Sequence, residues 1–116
     1  MKRDISLYVS NILENMDNAS CFITGMTFEQ MKNDRKTAYA VIRCFEIIGE
    51  AAKNVPQSTR DRYPTIPWRV MTGMRDKMIH AYFGIDYETV WKAVIENIPQ
   101  IRPLIKSLLD ELRRSV

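Results

Sequence analysis

The sequence predicts an all-α protein, an antiparallel bundle of four main helices joined by short connections. Apolar residues recur at steps of three and four over most of the 116 residues, which is the spacing of one helix face. Only four glycines and five prolines are present, whereas an all-β chain needs frequent turn residues. No segment alternates apolar and polar residues as a strand would, and short connections make neighbouring helices antiparallel.

The first helix is predicted over residues 4–24, with Asp4 as its N-cap and Gly25 as its end. Its apolar face consists of Ile5, Val9, Ile12, Met16, Ala19 and Ile23. A short helical turn is expected next, because Thr27 and Gln30 have the spacing of a capping box.

The second long helix is predicted to start at Asn33-Asp34 and to bury a narrow apolar seam. The seam residues are Ala38, Val41, Phe45, Ile48, Ala52 and Val55. A separate polar face holds Arg43, Glu46, Glu50 and Lys53. Residues 56–67 contain three prolines and form the main predicted loop.

The third helix is predicted to begin with Pro67 at its first position, where the missing N–H costs nothing. Its core residues would be Met71, Met74 and Met78. Gly84 interrupts the pattern, and Asp86 is a suitable N-cap for the last helix.

The last helix has an apolar seam formed by Val90, Val94, Ile98, Ile101, Ile105, Leu108 and Leu112. Pro99 and Pro103 fall inside it, so a kink or a break is expected. The seam stays in phase across both prolines, which favours the kink.

Length and composition fit a single domain over residues 1–116. Cys21 and Cys44 both fall in apolar helical patterns, so we expect two reduced core thiols, which suits a cytoplasmic protein. With one histidine and no C-x-x-C pair, the ligands of a usual zinc site are missing, and we expect neither metal nor cofactor. No apolar run has the length of a membrane span, and no signal segment is evident.

Basic residues are concentrated in one part of the chain. Residues 53–77 have six basic and two acidic side chains, a net charge of +4, whereas the remaining residues sum to −1. The positive potential of this segment would attract phosphates. The alternative is an ordinary solvated loop and helix face, which would have the same composition.

The segment "MRDKMIHAYFG" (residues 74–84) contains the single histidine of the chain, His80. Histidine can act as a general acid or base near neutral pH, and Arg75 presents a planar fork to phosphate oxygens. Together they suit RNA cleavage without a metal, in which the ribose 2′-hydroxyl attacks the adjacent phosphorus. The alternative is a histidine at the surface or the core edge with no chemical role.

Geometry adds two conditions. Residues five apart on an ideal α-helix lie about 140° apart around the axis, so His80 must lie at a helix end or the Arg75 side chain must wrap. The reaction also needs both a base and an acid. A two-fold dimer would bring a second His80 and a second Arg75 to one cleft.

Arg75-x4-His80-x-Tyr82 resembles the R-x4-H-x-Y motif of HepT-like proteins, a branch of the HEPN superfamily. Three further blocks resemble the same family: "FEIIGEAAKNVP" (45–56), "IPWRVMTGMRDKMIHAYFGID" (66–86) and "YETVWKAVIENIPQI" (87–101). The resemblance implies a four- or five-helix HEPN bundle that dimerises with the motifs facing each other. It implies a metal-independent ribonuclease, the toxin of a toxin–antitoxin pair.

The antitoxin implied by the resemblance is an MNT-type nucleotidyltransferase that transfers AMP to Tyr82. Arg75 then corresponds to the phosphate-binding residue and His80 to the acid or base. Asp76 departs from the asparagine that the family often has, and its carboxylate would pair with Arg75 or Lys77.

Glu46 and Glu50 belong to the helix expected beside the motif, without an assigned role. Two other functions stay open. In one, the bundle is a non-catalytic subunit that binds a nucleotide or substrate for a nucleotidyltransferase. In the other, it is a plain helical interaction protein with an incidental histidine.

Overall fold

The structure is a computed structural model that describes the backbone of residues 2–114 and the side chains of residues 5–114. Seven α-helices occur in this part of the chain: α1 (Lys2–Phe22), α2 (Phe28–Lys32), α3 (Arg35–Asn54), α4 (Gln57–Arg62), α5 (Trp68–Met78), α6 (Tyr87–Lys92) and α7 (Ile98–Arg114). A π-helical turn, Ala93–Asn97, joins α6 to α7, and the two-residue strands β1 (Ile79–His80) and β2 (Gly84–Ile85) follow α5. The predicted all-α fold is confirmed, with this small hairpin as an addition.

Helix α3 lies at the centre of the bundle. It packs against α1 on one side and α5 on another, while α1 also packs against α7. All six predicted seam residues of α3 are buried, but so are Ile42, Cys44, Gly49 and Ala51. The seam was therefore predicted too narrow, because two neighbouring helices cover α3 and each needs its own apolar face.

Side-chain caps start three of the helices as predicted. Thr27 and Gln30 form a complete capping box at α2, Asp34 accepts a hydrogen bond from the Thr37 N–H at α3, and Asp86 accepts one from the Thr89 N–H at α6. The prediction for Asp4 is wrong, since α1 already begins at Lys2.

Helix α1 ends at Phe22, three residues before the predicted Gly25. Gly25 has φ of +79°, a left-handed conformation that is common just after a helix and costs glycine little. The turn that follows α1 returns the chain toward α2 and then into α3.

The loop predicted over residues 56–67 contains the short helix α4. Pro56 precedes it as N-cap with φ of −58°, a value that the proline ring favours. Pro67 is the N-cap of α5 and not its first helical residue, so the helix begins one residue later than predicted, at Trp68.

The two cysteines differ. Cys44 is buried on α3, where burial raises the pKa of its thiol. Cys21 is exposed, so the prediction of two core thiols is wrong for it. Cys21 lies two residues from Ala19 and Ile23, which places it on the opposite side of α1 from the buried face.

The C-terminal helical run stays helical through both prolines. The Ile98 N–H donates to the Ala93 carbonyl five residues back, the π-helical pattern, immediately before Pro99. A π-turn of this kind accommodates a local disturbance of the ladder, and Pro103 lies inside α7. All seven predicted seam residues of this run are buried, which confirms that the chain adjusts locally and does not break.

Candidate active site

Close packing of α5 on α3 positions the first candidate residue. A Cβ atom built on Gly49 of α3 would lie 3.5 Å from the carbonyl oxygens of Met71 and Thr72 on α5. These are ordinary van der Waals distances, so a small side chain would fit here, whereas a large one would push the two helices apart. This packing brings Arg75, one turn further along α5, beside Glu46.

Arg75 is held by two carboxylates. Its Nε lies 3.2 Å from Glu46 Oε2 and its Nη1 lies 3.5 Å from Asp76 Oδ1. The expected Arg75–Asp76 pairing is therefore present. Glu46 is shared, because Arg43 Nη1 lies 3.5 Å from its other oxygen.

These residues line an open cavity of about 310 Å³, here named the Arg75 cavity. Its lining consists of Arg43, Phe45, Glu46, Gly49, Glu50, Lys53, Thr72, Arg75 and Asp76. The third cation, Lys53, lies 3.6 Å from Glu50. Three cations thus face three carboxylates, and a phosphate that binds Arg75 must compete with them.

His80 lies outside α5, on a hairpin that follows it directly. β1 and β2 pair antiparallel, with Ile79 opposite Ile85 and His80 opposite Gly84. Gly84 has φ of +73°, which favours glycine because other residues are strained there. The expectation of no strand is wrong at this point: a two-residue strand is too short to show alternation in the sequence.

The hairpin resolves the angular conflict between Arg75 and His80. Helix α5 ends at Met78, and the Asp86 N–H donates to the Met78 carbonyl at 2.7 Å, which closes the hairpin base. His80 is therefore beyond the helix end, one of the two options that the spacing had left open.

The tip of the hairpin is almost fully exposed. The exposed fractions of Tyr82 and Phe83 are 95% and 89%, and His80 is also exposed. Within residues 5–114, none of these three side chains makes a hydrogen bond or ion pair with Arg75. A side chain without neighbours in its own chain is free to meet RNA or a second protein.

The structure thus brings together only some of the predicted site residues. Arg75, Asp76, Glu46 and Glu50 line one cavity. Lys77 lines another, smaller cavity between α5 and α6, together with Val70, Met74, Met78, Thr89, Lys92, Ala93 and Asn97.

Sequence reasoning missed Gly49 as the contact point of α3 and α5. A signal was present, because a glycine inside a helix is unfavourable and often marks a position where another part of the chain packs closely. The ion-pair roles of Arg43 and Lys53 were missed as well, since they depend on the arrangement of the α3 face over the cavity.

Two further properties concern the part of the chain that the structure describes. No helix there is long and apolar enough to cross a membrane. No group of three or more His, Cys, Asp and Glu side chains there is arranged to hold a metal ion.

A helical bundle with an arginine in a cleft and a histidine on the adjacent hairpin fits the class of helical ribonucleases that the sequence motif indicated. The comparison with known families gives the same class. The model of the family described as "Ribonuclease HepT-like" matches residues 12–108. The chain belongs to this HepT-like ribonuclease family, which confirms the resemblance seen in the sequence.

Named relatives cover most of the chain. "Probable ribonuclease HepT" of Thermococcus cleftensis is 45% identical over 108 residues, 93% of this chain and 98% of the relative. "Putative RNase MJ1216" of Methanocaldococcus jannaschii is 43% identical over 111 residues, 96% of this chain and 92% of the relative. No solved structure matches the chain.

Proposed function

We propose that this chain is a metal-independent endoribonuclease, the toxin of a toxin–antitoxin pair, acting in the cytoplasm as a homodimer. The observation that carries the proposal is the exposed hairpin with His80 and Tyr82, which begins directly after the helix that holds Arg75. Membership of a ribonuclease family supports RNA as the substrate.

In the proposed reaction, His80 of one subunit accepts the proton of the ribose 2′-hydroxyl. The 2′-oxygen then forms a bond to the adjacent phosphorus, and the bond from phosphorus to the 5′-oxygen breaks. His80 of the other subunit donates a proton to that leaving oxygen. Arg75 donates hydrogen bonds to the phosphoryl oxygens, whose negative charge is greatest in the transition state.

Dimerisation is proposed because one chain supplies only one histidine, whereas the proposed reaction uses two. Within residues 5–114, no hydrogen bond or ion pair joins Arg75 to His80. A second copy facing the first would place two histidines and two arginines around one RNA strand. It would also cover part of the apolar surface of Phe83.

The proposed antitoxin is a nucleotidyltransferase that transfers AMP from ATP to Tyr82. The Tyr82 hydroxyl oxygen attacks the α-phosphorus, pyrophosphate leaves, and the phenolic proton is lost. The 95% exposure of Tyr82 supports access for such an enzyme. The added phosphodiester would bring negative charge and bulk beside the site and would repel RNA.

A mixed dimer tests the composite site. His80→Gln and Arg75→Gln dimers should each be inactive, and a heterodimer of one wild-type and one His80→Gln subunit, isolated with two different affinity tags, should also lose most cleavage, because its cleft has only one of the two histidines that the reaction uses. RNA fragments should end in 2′,3′-cyclic phosphate and should form in the presence of a chelator. A monomer at micromolar concentration, or a heterodimer with at least half of the wild-type activity, would contradict the proposal.

The AMP transfer has its own test. Incubation with the cognate nucleotidyltransferase and ATP should add the mass of AMP to the wild type and abolish cleavage. Tyr82→Phe should keep cleavage and resist the antitoxin. Modification of the phenylalanine variant would exclude Tyr82 as the acceptor.

The second candidate is a non-catalytic subunit that binds a nucleotide or substrate for a nucleotidyltransferase. The exposed ring of Tyr82 near the end of the helix that holds Arg75 supports it, since an aromatic face can stack on a base and an arginine can bind a phosphate. Saturable nucleotide binding by the purified protein, with no RNA cleavage at any protein concentration, would establish this function over the first.

A further inference from the structure

A second cavity of about 450 Å³ lies between α4 and the start of α5, here named the Arg60 cavity. Its lining consists of Gln57, Arg60, Asp61, Pro64, Trp68, Arg69 and Thr72. Thr72 also lines the Arg75 cavity. The two cavities are therefore neighbours on the same surface, one on each side of this threonine.

The arginines of the Arg60 cavity lack acidic partners. Neither Arg60 nor Arg69 forms an ion pair within the described side chains. The one carboxylate in the lining, Asp61, accepts a hydrogen bond from the Gln57 amide at 2.8 Å. The Arg75 cavity differs, because each of its cations already contacts a carboxylate.

Arg60 also has a donor that nothing in the described chain satisfies. Its Nε is buried and has no hydrogen-bond partner. Burial of such a donor without an acceptor is costly and uncommon. The guanidinium fork suits phosphate oxygens, and an oxyanion in the cavity would supply the missing acceptor once the Arg60 side chain turns toward it, because Nε is inaccessible in the conformation described.

The walls of the Arg60 cavity are fixed by contacts of the chain between α4 and α5. The Trp68 indole is buried and its Nε1 donates to the Tyr63 carbonyl at 3.1 Å. The Tyr63 hydroxyl donates to the Glu111 carboxylate on α7, and that contact raises the pKa of Tyr63. Trp68 is thus part of the packed wall, and its edge is not free to read a base.

From these contacts we infer that Arg60 and Arg69 form a second phosphate-binding subsite for the backbone of single-stranded RNA. The inference rests on the proposed ribonuclease function and extends its substrate-binding surface. Arg69 and Arg75 are six residues apart on α5, about 9 Å along the helix axis and about 120° around it, with Thr72 between them on the surface that both cavities share. A strand cleaved beside Arg75 would place a flanking phosphate over Thr72 and the Arg60 cavity.

Phosphate contacts fix the position of a strand but do not specify its sequence. The subsite should therefore strengthen binding of all RNA sequences about equally. Cleavage specificity, if present, would then be determined elsewhere, for example at the hairpin tip.

Salt-dependent binding tests the inference. The ligand is a single-stranded oligonucleotide with 2′-O-methyl groups, which lacks the attacking hydroxyl and cannot be cleaved by the proposed reaction. Arg60→Gln and Arg69→Gln should each weaken binding about fivefold to tenfold at low salt. Each should also lower the slope of log K against log salt concentration by about 0.7.

Arg35→Gln is the matched control. Arg35 is an exposed arginine at the start of α3, it lines neither cavity, and the substitution removes the same charge. Its affinity should stay within about twofold of the wild type and its slope should be unchanged, as expected for a distant, screened charge. Arg60→Lys should keep the slope and lose part of the affinity, since it keeps the charge but not the fork.

The outcomes separate the subsite from the catalytic proposal. If the wild type cleaves RNA but the Arg60 and Arg69 variants match Arg35→Gln in slope, the subsite is wrong and the ribonuclease stands. If the slopes fall as expected while the wild type does not cleave unmodified RNA, the subsite is supported and the catalytic proposal fails. A wild type that neither binds nor cleaves RNA overturns both.

Discussion

Arg75 and His80 are five residues apart in the chain but lie in contrasting surroundings. Arg75 is on α5, packed on α3 at Gly49, and both Glu46 and Asp76 contact its guanidinium. His80 is on a hairpin whose tip is almost wholly exposed. The bundle itself fixes the first residue, whereas only the pairing of two short strands supports the second.

The contrast separates two kinds of site residue. The guanidinium of Arg75 is positioned before any ligand binds, but it already contacts two carboxylates, and a bound phosphate would have to compete with them. Among the described side chains, His80 forms no hydrogen bond or ion pair, so we expect RNA or a second subunit to order it. Substitutions at the hairpin should therefore change cleavage activity but not the free energy of unfolding. Substitutions where α5 packs on α3 should change both.

The largest effect is expected for His80→Gln. Glutamine keeps a similar size and can hydrogen-bond, but it cannot transfer a proton, so kcat should fall by about 10²-fold to 10⁴-fold. The free energy of unfolding should change by less than about 0.5 kcal/mol, because the side chain is exposed. Cleavage kinetics and urea unfolding measure the two quantities. Cleavage within tenfold of the wild type would exclude His80 as acid or base.

The next effect tests the packed side, at Gly49. A Cβ here would make ordinary contact with the α5 backbone, so Gly49→Ala should be tolerated and stabilise α3 by about 0.5–1 kcal/mol. Gly49→Leu should push α5 away and destabilise the fold by about 1–3 kcal/mol. Cleavage should fall with it, since Arg75 moves with α5.

Gly49→Ala is also the control for Gly49→Leu, because it alters helix propensity without forcing the helices apart. Urea unfolding gives the stabilities of both variants. A leucine variant as stable and active as the alanine variant would show that the close approach of α3 and α5 is not required.

A smaller effect is expected for Asp76→Asn, which removes a carboxylate beside Arg75. Exposed ion pairs contribute about 0.2–1 kcal/mol, so kcat/KM for RNA should rise by up to about fivefold. The gain should shrink at high salt, where charges are screened. Asp110→Asn removes the same charge from another ion pair, with Lys106, outside both the Arg75 cavity and the Arg60 cavity, and is the control. A loss of activity in Asp76→Asn would instead give the carboxylate a positive role.

Local signals predicted the helical framework well. The capping residues Thr27 and Asp86 were found because their hydrogen bonds span only three residues. The seams were found because helical periodicity is itself local. The pairing of Arg75 with Glu46 joins residues 29 apart in sequence, so only the position of Glu46 near the motif helix was expected.

The remaining features depend on tertiary arrangement. The hairpin at His80 has two residues per strand, which leaves no alternation to detect. The burial of the Arg60 Nε depends on how α4 lies beside the start of α5 in the folded chain. Burial of a single atom cannot be inferred from a sequence in which arginine usually indicates a solvated surface.

The smallest effect is expected far from both regions, at the pair that joins α1 to α7. Arg102 Nε lies 2.7 Å from Asp17 Oδ1, and this hydrogen bond lowers the pKa of Asp17. A carboxyl with a lowered folded-state pKa stabilises the fold above its unfolded pKa of about 3.9 and loses that contribution as pH falls through the folded value. Both side chains are largely exposed, so the contribution at pH 7 should be about 0.5 kcal/mol.

Asp17→Asn should therefore be less stable than the wild type at pH 7, and the difference should disappear as pH falls below the lowered folded-state pKa of Asp17. Urea unfolding at several pH values measures the difference. RNA cleavage should be unchanged throughout, because the pair lines neither the Arg75 cavity nor the Arg60 cavity. A cleavage defect in this variant would mean that bundle stability alone limits activity, and the assignment of distinct roles to α5 and the hairpin would lose its basis.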